Sequence, residues 1–338
     1  MPKVTVLMPL YNSEQFVGQA IDSILNQTFT DFELLIIDDG STDRSCEIVK
    51  KYSDGRIRLL YNEQNMGVAS TLNKGIKLAK GKYIARMDAD DISVINRLEQ
   101  QVSYLDSNQE YIMCGGSIQY INKNGRRGKR IYYPTEHDTI KFLLFFENAF
   151  AHPTIMFRRK AFLKNSYFYN VDQKAEDYDL WCRVVEGKMC NLKNKLLYYR
   201  IHNNNTTYNL EYQLNKSVVL IQKKYWKLNE LCFLYSHPIE KQIESLTELG
   251  LIYDQLNDIY SHSKMTEEIK KYFTKLYFII YSNYIYYHKN NKHAFEILIK
   301  NYKKTIKKVF YFKIIFGVFV INLYAIIAHL LNYLKKVD

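Results

Sequence analysis

The sequence predicts an α/β protein with a doubly wound, mostly parallel sheet, followed by a mainly helical C-terminal extension. Strand-like apolar runs alternate with amphipathic helical patterns through the first 87 residues, which is typical of successive β-α units. Acidic residues follow the ends of two of these strands. In open α/β sheets, ligands bind at the edge where the strands end. The pattern therefore predicts parallel strands with a binding site at one edge.

Apolar periodicity predicts the first four strands and the helices between them. A short apolar run favours a buried strand, whereas apolar residues spaced three and four apart favour a helix. The predicted strands span residues 3–9, 32–37, 57–61 and 83–87, and the predicted helices span residues 15–27, 42–52 and 67–79. Ser41 or Thr42 is the expected cap of the second helix, and Gly81 is the expected stop of the third.

The pattern is less regular after residue 97, and the C-terminal part differs in composition. We predict helices at 97–105 and 177–186, strands at 112–121, 130–133 and 196–201, and a turn at 122–125. From about residue 211 the pattern is helical and rich in Tyr, Lys and Asn. A boundary near residues 206–210 therefore divides the chain into an α/β domain at 1–208 and a helical, basic extension at 209–338.

The cysteines and the start of the chain indicate a cellular compartment. Five cysteines are scattered without C-x-x-C spacing, which is typical of neither a zinc site nor a disulfide framework. The chain begins Met-Pro-Lys-Val-Thr-Val, which leads directly into a strand pattern and has no features of a signal peptide. Both observations predict a cytoplasmic protein.

The excess positive charge is concentrated in the C-terminal tail. The net charge is +12, and residues 260–338 contribute +10 of it through 14 Lys and 4 acidic residues. Within the tail, the basic stretch Lys300–Lys308 precedes a mostly apolar run at 314–331 that contains Asn322 and His329. This run fits an interfacial helix, a single membrane span or a buried core helix. Because the tail has no Arg and lysines flank the run, we expect it to meet the inner face of an anionic membrane and no nucleic acid.

Three carboxylates follow the fourth predicted strand within four residues. Asp88, Asp90 and Asp91 stand where the strand leaves the sheet. Crowded carboxylates stay ionised most easily when a hard divalent cation bridges them. The alternative is a solvated turn that leads into a helix, with Asp91 or Ser93 as the helix cap. We favour a metal site at Asp88 and Asp90, with Asp91 as the cap.

The second predicted strand also ends in acids at this edge of the sheet. Asp39 is placed to accept a hydrogen bond from a nucleobase N–H or a ribose hydroxyl, although it could instead cap the next helix with Ser41 and Thr42. The chain has neither a G-x-x-x-x-G-K-[S/T] loop nor a G-x-G-x-x-G motif after the first strand, so a diphosphate cannot rely on a glycine cradle. A metal on Asp88 and Asp90 would supply the positive charge. We therefore interpret the site as one for a nucleoside with a metal-bound diphosphate.

Several short motifs occur in a fixed order along the chain. They are Pro9-Leu10-Tyr11-Asn12-Ser13-Glu14, Ile37-Asp38-Asp39-Gly40-Ser41-Thr42-Asp43, Asn65-Met66-Gly67, Asn73-Lys74-Gly75-Ile76, Ala79-Lys80-Gly81 and Asp88-Ala89-Asp90-Asp91. In this order they resemble the motifs of the family 2 inverting glycosyltransferases, over about residues 3–205. The resemblance implies the GT-A fold and transfer of a sugar from a nucleotide-diphosphate donor, with Mn²⁺ or Mg²⁺ as cofactor.

The resemblance also implies roles for individual residues. Asp177 resembles the family's catalytic base, and Asp88 and Asp90 resemble its metal-binding D-x-D motif. The implied donor-binding residues are Pro9, Tyr11, Asn12, Asp39, Asn73, Arg86, Asp88, Ala89 and Asp90. The implied acceptor-side or diphosphate residues are Glu176, Trp181, Arg183, His152, Arg200 and His202, with His202 also a metal ligand.

The chemistry of inverting transfer agrees with this set of residues. Direct displacement at the anomeric carbon needs a carboxylate that takes the acceptor proton and a cation that neutralises the departing diphosphate. It needs no enzyme nucleophile, and no Ser/His/Asp or Cys/His set stands out in the sequence. Structural roles remain as alternatives: Glu176 and Asp177 could be helix N-terminal acids, and His152 and His202 could be structural histidines.

One position departs from the family pattern. Many relatives carry Arg immediately before the position of Asn73, where this chain has Leu72. If that Arg helps to hold the diphosphate, either Arg86 or Lys74 compensates for its absence, or the affinity for the donor is lower.

The predicted function is metal-dependent inverting transfer from a UDP-sugar to a hydroxyl of a saccharide or lipid-linked oligosaccharide. The expected setting is the synthesis of a bacterial surface polysaccharide. One alternative is a polyprenyl-phosphate sugar synthase, whose phosphate acceptor needs little base catalysis. The other is a non-catalytic protein that binds sugar nucleotides. The motif around Asp177 argues against the synthase, and the acids at 88, 90 and 177 argue against the non-catalytic protein.

Overall fold

The computed structural model describes residues 1–202 and 211–228, which form nine strands and eight helices. The strands are β1 (Val4–Leu10), β2 (Phe32–Asp38), β3 (Ile57–Tyr61), β4 (Tyr83–Arg86), β5 (Ile92–Ser93), β6 (Tyr111–Asn122), β7 (Arg127–Ile131), β8 (Met156–Arg158) and β9 (Lys188–Ile201). The helices are α1 (Val17–Leu25), α2 (Ser45–Lys50), α3 (Val68–Leu78), α4 (Arg97–Ser107), α5 (His137–Leu143), α6 (Arg159–Lys164), α7 (Glu176–Arg183) and α8 (Glu211–Leu228), with a 3₁₀ turn at His152–Thr154.

The strands form one sheet in the order β3-β2-β1-β4-β8-β6-β9-β5, and β7 pairs with β6. β1 to β4 are mutually parallel, which confirms the prediction for the first half. β8 runs antiparallel between β4 and β6, and β6 and β9 are parallel to each other. The sheet is therefore mostly parallel with antiparallel insertions, as predicted for the class.

Helices cover both faces of β1, because its two sets of alternating side chains are both apolar. Val6 and its even-numbered neighbours share a buried cluster with the apolar stripe of α1. Leu7 points the other way, toward Gly75 of α3. Residues on both faces are withdrawn from water, at roughly 1.5–3 kcal/mol for each large aliphatic side chain. This packing makes the ends of β1, β2 and β4 a rigid platform for a site.

Three of the predicted helix signals were wrong. Helix α2 begins at Ser45 with Arg44 at its cap position, so neither Ser41 nor Thr42 caps it. Helix α4 begins at Arg97 with Asn96 at its cap position, so neither Asp91 nor Ser93 caps it. Helix α3 ends at Leu78, and Gly81 is required for a different reason. A Cβ at Gly81 would lie 2.4 Å from the backbone nitrogen of Thr5. The glycine therefore allows the chain entering β4 to approach β1.

Most differences from the predicted elements lie after residue 130. Helices α5 and α6, strand β8 and the first eight residues of β9 were not predicted, and α7 ends at Arg183 rather than at residue 186. Each of these short segments buries apolar side chains, such as Phe157, Phe162 and Met189, and these tertiary contacts outweigh the weak local patterns. Of these segments, β9 matters most for the site, because its pairing with β6 and β5 brings the end of the strand to the acidic edge of the sheet.

Helix α8 packs onto the α/β half of the chain. Ser217 accepts hydrogen bonds from the backbone N–H groups of Lys174 and Ala175, and Gln222 donates to the carbonyl of Phe146. The division of the chain near residue 208 stays a prediction. Within the described residues, no helix is both long enough and apolar enough to cross a membrane. The stretches 300–308 and 314–331 lie outside the described residues.

Candidate active site

A cavity of about 1420 Å³ opens where β1, β2, β4 and β9 end, against the start of α7. Small-molecule sites usually occupy roughly 300–1,000 Å³, so this cavity has room for two ligands. Most of the predicted site residues line it, namely Pro9, Tyr11, Asn12, Asp39, Arg86, Asp88, Ala89, Asp90, His152, Glu176, Asp177 and His202. Asn73, Trp181, Arg183 and Arg200 lie behind its wall, as described below.

The three carboxylates after β4 converge in space. Each of Asp88, Asp90 and Asp91 offers an oxygen within 4.8 Å of the others. Burial raises the pKa of Asp91 well above its ordinary value, and the charges of Asp90 and Asp88 add to the shift. Oδ2 of Asp91 is buried with no hydrogen-bond partner among the described residues. Crowded, partly unsatisfied carboxylate oxygens fit a hard divalent cation.

Asp91 therefore belongs to the acidic cluster and not to a helix cap. Its Oδ1 accepts a hydrogen bond from the backbone N–H of Arg200, at 2.8 Å. The guanidinium of Arg200 also donates to the carbonyl of Asp90 and to Gln19. Arg200, which is 1% exposed, thus holds the acidic turn from behind. His202 reaches the cluster directly, with Nε2 2.9 Å from Oδ2 of Asp90.

Arg86 brings a buried positive charge to the base of the cavity. Its guanidinium forms an ion pair with the carboxylate of Asp88. The pKa of Asp88 is raised by burial, the Arg86 charge opposes this shift, and the charge of Asp90 adds to it. Lys74, the other predicted substitute for the family arginine, donates to the carbonyl of Tyr61 and to Asn62. Of these two cations, Arg86 is the one in the cavity wall.

Asp39 shapes the neighbouring part of the wall. Its Oδ1 accepts from Asn62 Nδ2 and from the N–H of Met66, and its Oδ2 accepts from the N–H of Gly67. These bonds anchor the turn before α3, so the cap role considered for Asp39 at the following helix is wrong. The carboxylate still borders the cavity. Near it, Asn12 Oδ1 accepts from the N–H of Thr42 and joins the turns after β1 and β2.

The two acids at the start of α7 have different environments. Asp177 accepts hydrogen bonds from the Tyr178 N–H and from Asn148 Nδ2, both at 2.7 Å. Burial raises the pKa of Asp177, and these two donors oppose the shift. Burial raises the pKa of Glu176 to about 8, with the charge of Asp177 adding to it. Neighbouring acids in different environments take different protonation states. Of the two, Asp177 is the acid whose ionised form is better stabilised.

His152 is a buried neutral imidazole beside this acid pair. Burial holds its pKa well below the ordinary value, and the charge of Arg86 acts in the same direction. Its Nδ1 lies 3.9 Å from Oε1 of Glu176. Because both groups are neutral near pH 7, we treat this contact as polar packing rather than as an ion pair. Nε2 is 2.9 Å from the hydroxyl of Tyr169.

Three predicted contact residues support the site from behind. The side chain of Asn73 both donates to and accepts from the backbone of Tyr169, at 2.8 Å each way. Trp181 is fully buried and packs edge-on against His152. Arg183 binds Asp179 and the carbonyl of Phe168. These contacts explain the residues as structural supports, so direct contact of their side chains with donor or acceptor is not supported.

Sequence reasoning missed many residues of the cavity wall, among them one asparagine and three tyrosines. These four are Asn148, Tyr120, Tyr133 and Tyr199. Tyr120 and Tyr199 belong to β6 and β9, along which the side chains alternate between the two faces of the sheet. A two-residue period in the sequence could therefore have indicated which face each tyrosine occupies. Asn148 and Tyr133 lie outside regular structure, and no local pattern marks them.

Comparisons with known proteins agree with the fold and identify the family. A model of glycosyl transferase family 2 matches residues 5–166. The O-antigen biosynthesis glycosyltransferase WbnJ of Escherichia coli is 39% identical over 210 residues, which are 60% of this chain and 81% of its own. UDP-Glc:alpha-D-GlcNAc-diphosphoundecaprenol beta-1,3-glucosyltransferase WfgD, also of E. coli, is 41% identical over 184 residues, 54% of this chain and 70% of its own.

The solved structures show the same fold. The mannosyltransferase PcManGT from Pyrobaculum calidifontis, in complex with GDP-Man and Mn²⁺, matches with a TM-score of 0.52 at 15% identity, over 85% of this chain and 83% of its own. Fold and relatives together define a glycosyltransferase, an enzyme that moves a sugar unit to an acceptor, and the fold is of the GT-A type as predicted. The chain belongs to glycosyl transferase family 2.

Proposed function

We propose that this enzyme transfers a sugar, with inversion, from a UDP-sugar to a hydroxyl of a saccharide or lipid-linked oligosaccharide. The observation that carries the proposal is the pairing of two unlike acidic sites in one cavity. Asp88, Asp90 and Asp91 converge at the end of β4, and Asp177 faces the same space from α7. One acidic site suits a leaving diphosphate with its metal, and the other suits an attacking hydroxyl.

In the proposed reaction, one bond forms and one breaks at the anomeric carbon. The acceptor oxygen forms a bond to that carbon while the bond to the diphosphate oxygen breaks, and its electron pair leaves with the nucleoside diphosphate. Asp177 takes the proton of the acceptor hydroxyl. Asn148 and the Tyr178 N–H hold the Asp177 carboxylate in place and stabilise its ionised form before transfer.

The acidic cluster fits a divalent cation, Mn²⁺ or Mg²⁺. Asp88 and Asp90, with Asp91 or His202 nearby, would hold it. When bound, the cation would neutralise charge on the diphosphate. Arg86 adds a fixed positive charge beside Asp88 and thereby replaces the arginine that many relatives carry at the position of Leu72. A solved structure of the same fold is in complex with GDP-Man and Mn²⁺, which supports a nucleotide-sugar donor and a metal.

The nucleoside side of the donor site is proposed at the ends of β1 and β2. Pro9, Tyr11, Asn12 and Asp39 border the cavity there. Asp39 keeps one lone pair on Oδ2 beyond its bond to Gly67, which leaves it able to accept from a base N–H. The name of WfgD specifies a UDP-Glc donor, which supports UDP as the carrier in this chain.

The acceptor is proposed to belong to surface polysaccharide synthesis at the cytoplasmic face of a membrane. The name of WbnJ specifies O-antigen biosynthesis, and that of WfgD a diphosphoundecaprenol-linked sugar. The basic tail at 260–338 would hold the enzyme near such a lipid-linked acceptor. A polyprenyl-phosphate sugar synthase would not need the stabilised Asp177 carboxylate, and a non-catalytic protein would need neither acidic site.

Donor turnover and transfer test the assignments separately. We expect Asp90→Ala to abolish Mn²⁺-dependent release of UDP from UDP-sugars, because it removes a metal ligand. We expect Asp177→Asn to keep UDP binding and to lose transfer by at least about a hundredfold, the usual lower range for a general base. UDP release and product formation are measured across a panel of UDP-sugars, with and without Mn²⁺.

The matched control is Asp31→Asn. Asp31 is exposed at the opposite end of β2 from the cavity, so this variant should behave as the wild type. Transfer at the wild-type rate by Asp177→Asn would contradict the base assignment. Metal-independent turnover by the wild type would contradict the metal assignment.

A further inference from the structure

Three tyrosines, Tyr120, Tyr133 and Tyr199, form part of the cavity wall, here called the tyrosine wall. Tyr120 on β6 and Tyr199 on β9 are register partners, and their rings meet edge to face with centroids 5.9 Å apart. Tyr133 lies in the connection after β7 and packs against the same core. All three are half-buried. The wall therefore presents fixed aromatic surface to the cavity rather than mobile side chains.

The residues next to the tyrosine wall extend its apolar character. Ile118 precedes Tyr120 by two positions, and Ile201 follows Tyr199 by two. Side chains two positions apart in a strand face the same side, and both isoleucines line the cavity. This part of the cavity is thus aromatic and aliphatic, in contrast to the acidic edge beside it.

The tyrosine wall also offers unused polar groups. Within the part of the chain that the structure describes, the hydroxyls of Tyr120, Tyr133 and Tyr199 have no hydrogen-bond partner. Burial raises the pKa of Tyr133, and nearby Tyr120 and Asp177 add to the shift. The hydroxyl of Tyr133 therefore stays protonated near neutral pH and can donate. None of these three hydroxyl oxygens is among the described buried polar atoms that lack a partner, so the phenols are accessible from the cavity and available to hydrogen-bond a ligand.

Sheet order places the tyrosine wall away from the proposed nucleoside pocket. The strands of that pocket are β1 and β2, the acidic cluster follows β4, and the wall belongs to β6 and β9 on the far side of β4. Asp177 is near enough to Tyr133 to affect its pKa. In an inverting displacement, the acceptor approaches the anomeric carbon from the side opposite the diphosphate. The wall is on the side that an acceptor would occupy.

We propose that the tyrosine wall binds the acceptor through a sugar ring, with the aromatic faces against its C–H surface and the free phenols on its hydroxyls. The proposal rests on the transferase function proposed above and adds the residues that bind the sugar ring of the acceptor. Tyr is suited to this role because it joins a rigid apolar face to a polar tip at a small entropic cost. A bare lipid phosphate would use neither feature.

The test compares adjacent tyrosines in the full chain. Tyr133→Leu removes the ring and the hydroxyl from the wall, whereas Tyr132→Leu changes a neighbour that is 68% exposed. The probes are methyl glycosides of glucose, galactose, N-acetylglucosamine and N-acetylgalactosamine, detected by saturation-transfer NMR with UDP and Mn²⁺ present. We expect the wild type to bind at least one of them and Tyr133→Leu to bind it about tenfold more weakly.

Further variants separate the aromatic face from folding effects. Tyr133→Phe keeps the ring and should stay within about threefold of the wild type, as should Tyr132→Leu. If Tyr133→Leu does not fold, Tyr120→Leu on β6 carries the same expectation. UDP affinity, measured by titration calorimetry in the same samples, should be equal in all variants.

Two results would overturn the proposal while leaving the donor assignment intact. They are wild-type saccharide affinity in a folded Tyr133→Leu or Tyr120→Leu variant, and absence of binding of any probe to the UDP-bound wild type. Failure of the wild type to bind UDP would overturn the proposed function itself, and the calorimetric titration detects that result independently of the saccharides.

Discussion

At the scale of single residues, the site depends on how each acid is solvated and bonded. Asp177 and Glu176 are neighbours in the chain, yet two donors stabilise the Asp177 carboxylate while burial raises the pKa of Glu176 to about 8. Asn148 provides one of those donors from outside any helix or strand. The ionisation of Asp177 therefore depends in part on a residue that lies 29 positions earlier.

Replacing Asn148 with Ala tests this dependence. The Asn148 hydrogen bond lowers the pKa of Asp177, so its loss raises that pKa and favours the protonated, inactive form. We expect the acidic limb of the kcat/KM profile to move to higher pH, with about a tenfold loss of activity on that limb, which corresponds to about 1.4 kcal/mol. The measurement is a pH profile of transfer. The remote, exposed Asn26→Ala is the control, and an unmoved acidic limb in Asn148→Ala would contradict the role of Asn148.

At the scale of elements, the site is assembled from strand ends that close packing brings together. β4 has only four residues, yet it pairs with β1 and β8 and carries Arg86 and the acidic cluster at its end. Its entry depends on Gly81, whose N–H donates to Oγ1 of Thr5. Because a Cβ at this position would meet backbone atoms of Thr5, Val4 and Tyr83, side-chain movement cannot relieve the clash.

We therefore expect Gly81→Ala to destabilise the fold. Overpacking of this kind costs about 1–3 kcal/mol, and the change should appear as a lower midpoint in urea unfolding. Gly55→Ala is the matched control, because nothing lies within 4 Å of a Cβ built at Gly55, and that change should be neutral or slightly stabilising. Equal midpoints for the two variants would show that the approach of β4 to β1 is less tight than the structure indicates.

At the scale of the whole molecule, the net charge is distributed very unevenly along the chain. Residues 260–338 carry +10 of the total charge of +12, and the remaining residues are nearly neutral. The catalytic cavity lies in the nearly neutral part. A division of this kind suits an enzyme whose donor is free in solution and whose acceptor is held at an anionic surface.

Vesicle binding by the full chain tests this arrangement. We expect co-sedimentation with phosphatidylglycerol vesicles at low salt, since each lysine near an anionic surface contributes about 1 kcal/mol. Binding should weaken strongly at high salt because the charges are screened. Phosphatidylcholine vesicles are the neutral control. Equal binding to both lipids, or none to the anionic vesicles, would contradict an electrostatic attachment.

The strands and helices of the first 90 residues and the class of the site could be predicted from the sequence alone. These elements have strong periodicity, and their acids stand where strands end, so local pattern and global position agree. The sequence also placed Asp39, Asp88, Asp90 and Asp177 in one site through the order of their motifs.

The tertiary structure was needed to establish how those residues are arranged and bonded. Asp91 joined the acidic cluster because β9 pairs beside it, and Asn73 and Trp181 lie behind the wall because their bonds and packing are long-range. Asn148 and the tyrosine wall come from segments distant in sequence. Hydrogen bonds and packing across such distances leave no local pattern, since they depend on which strands become neighbours.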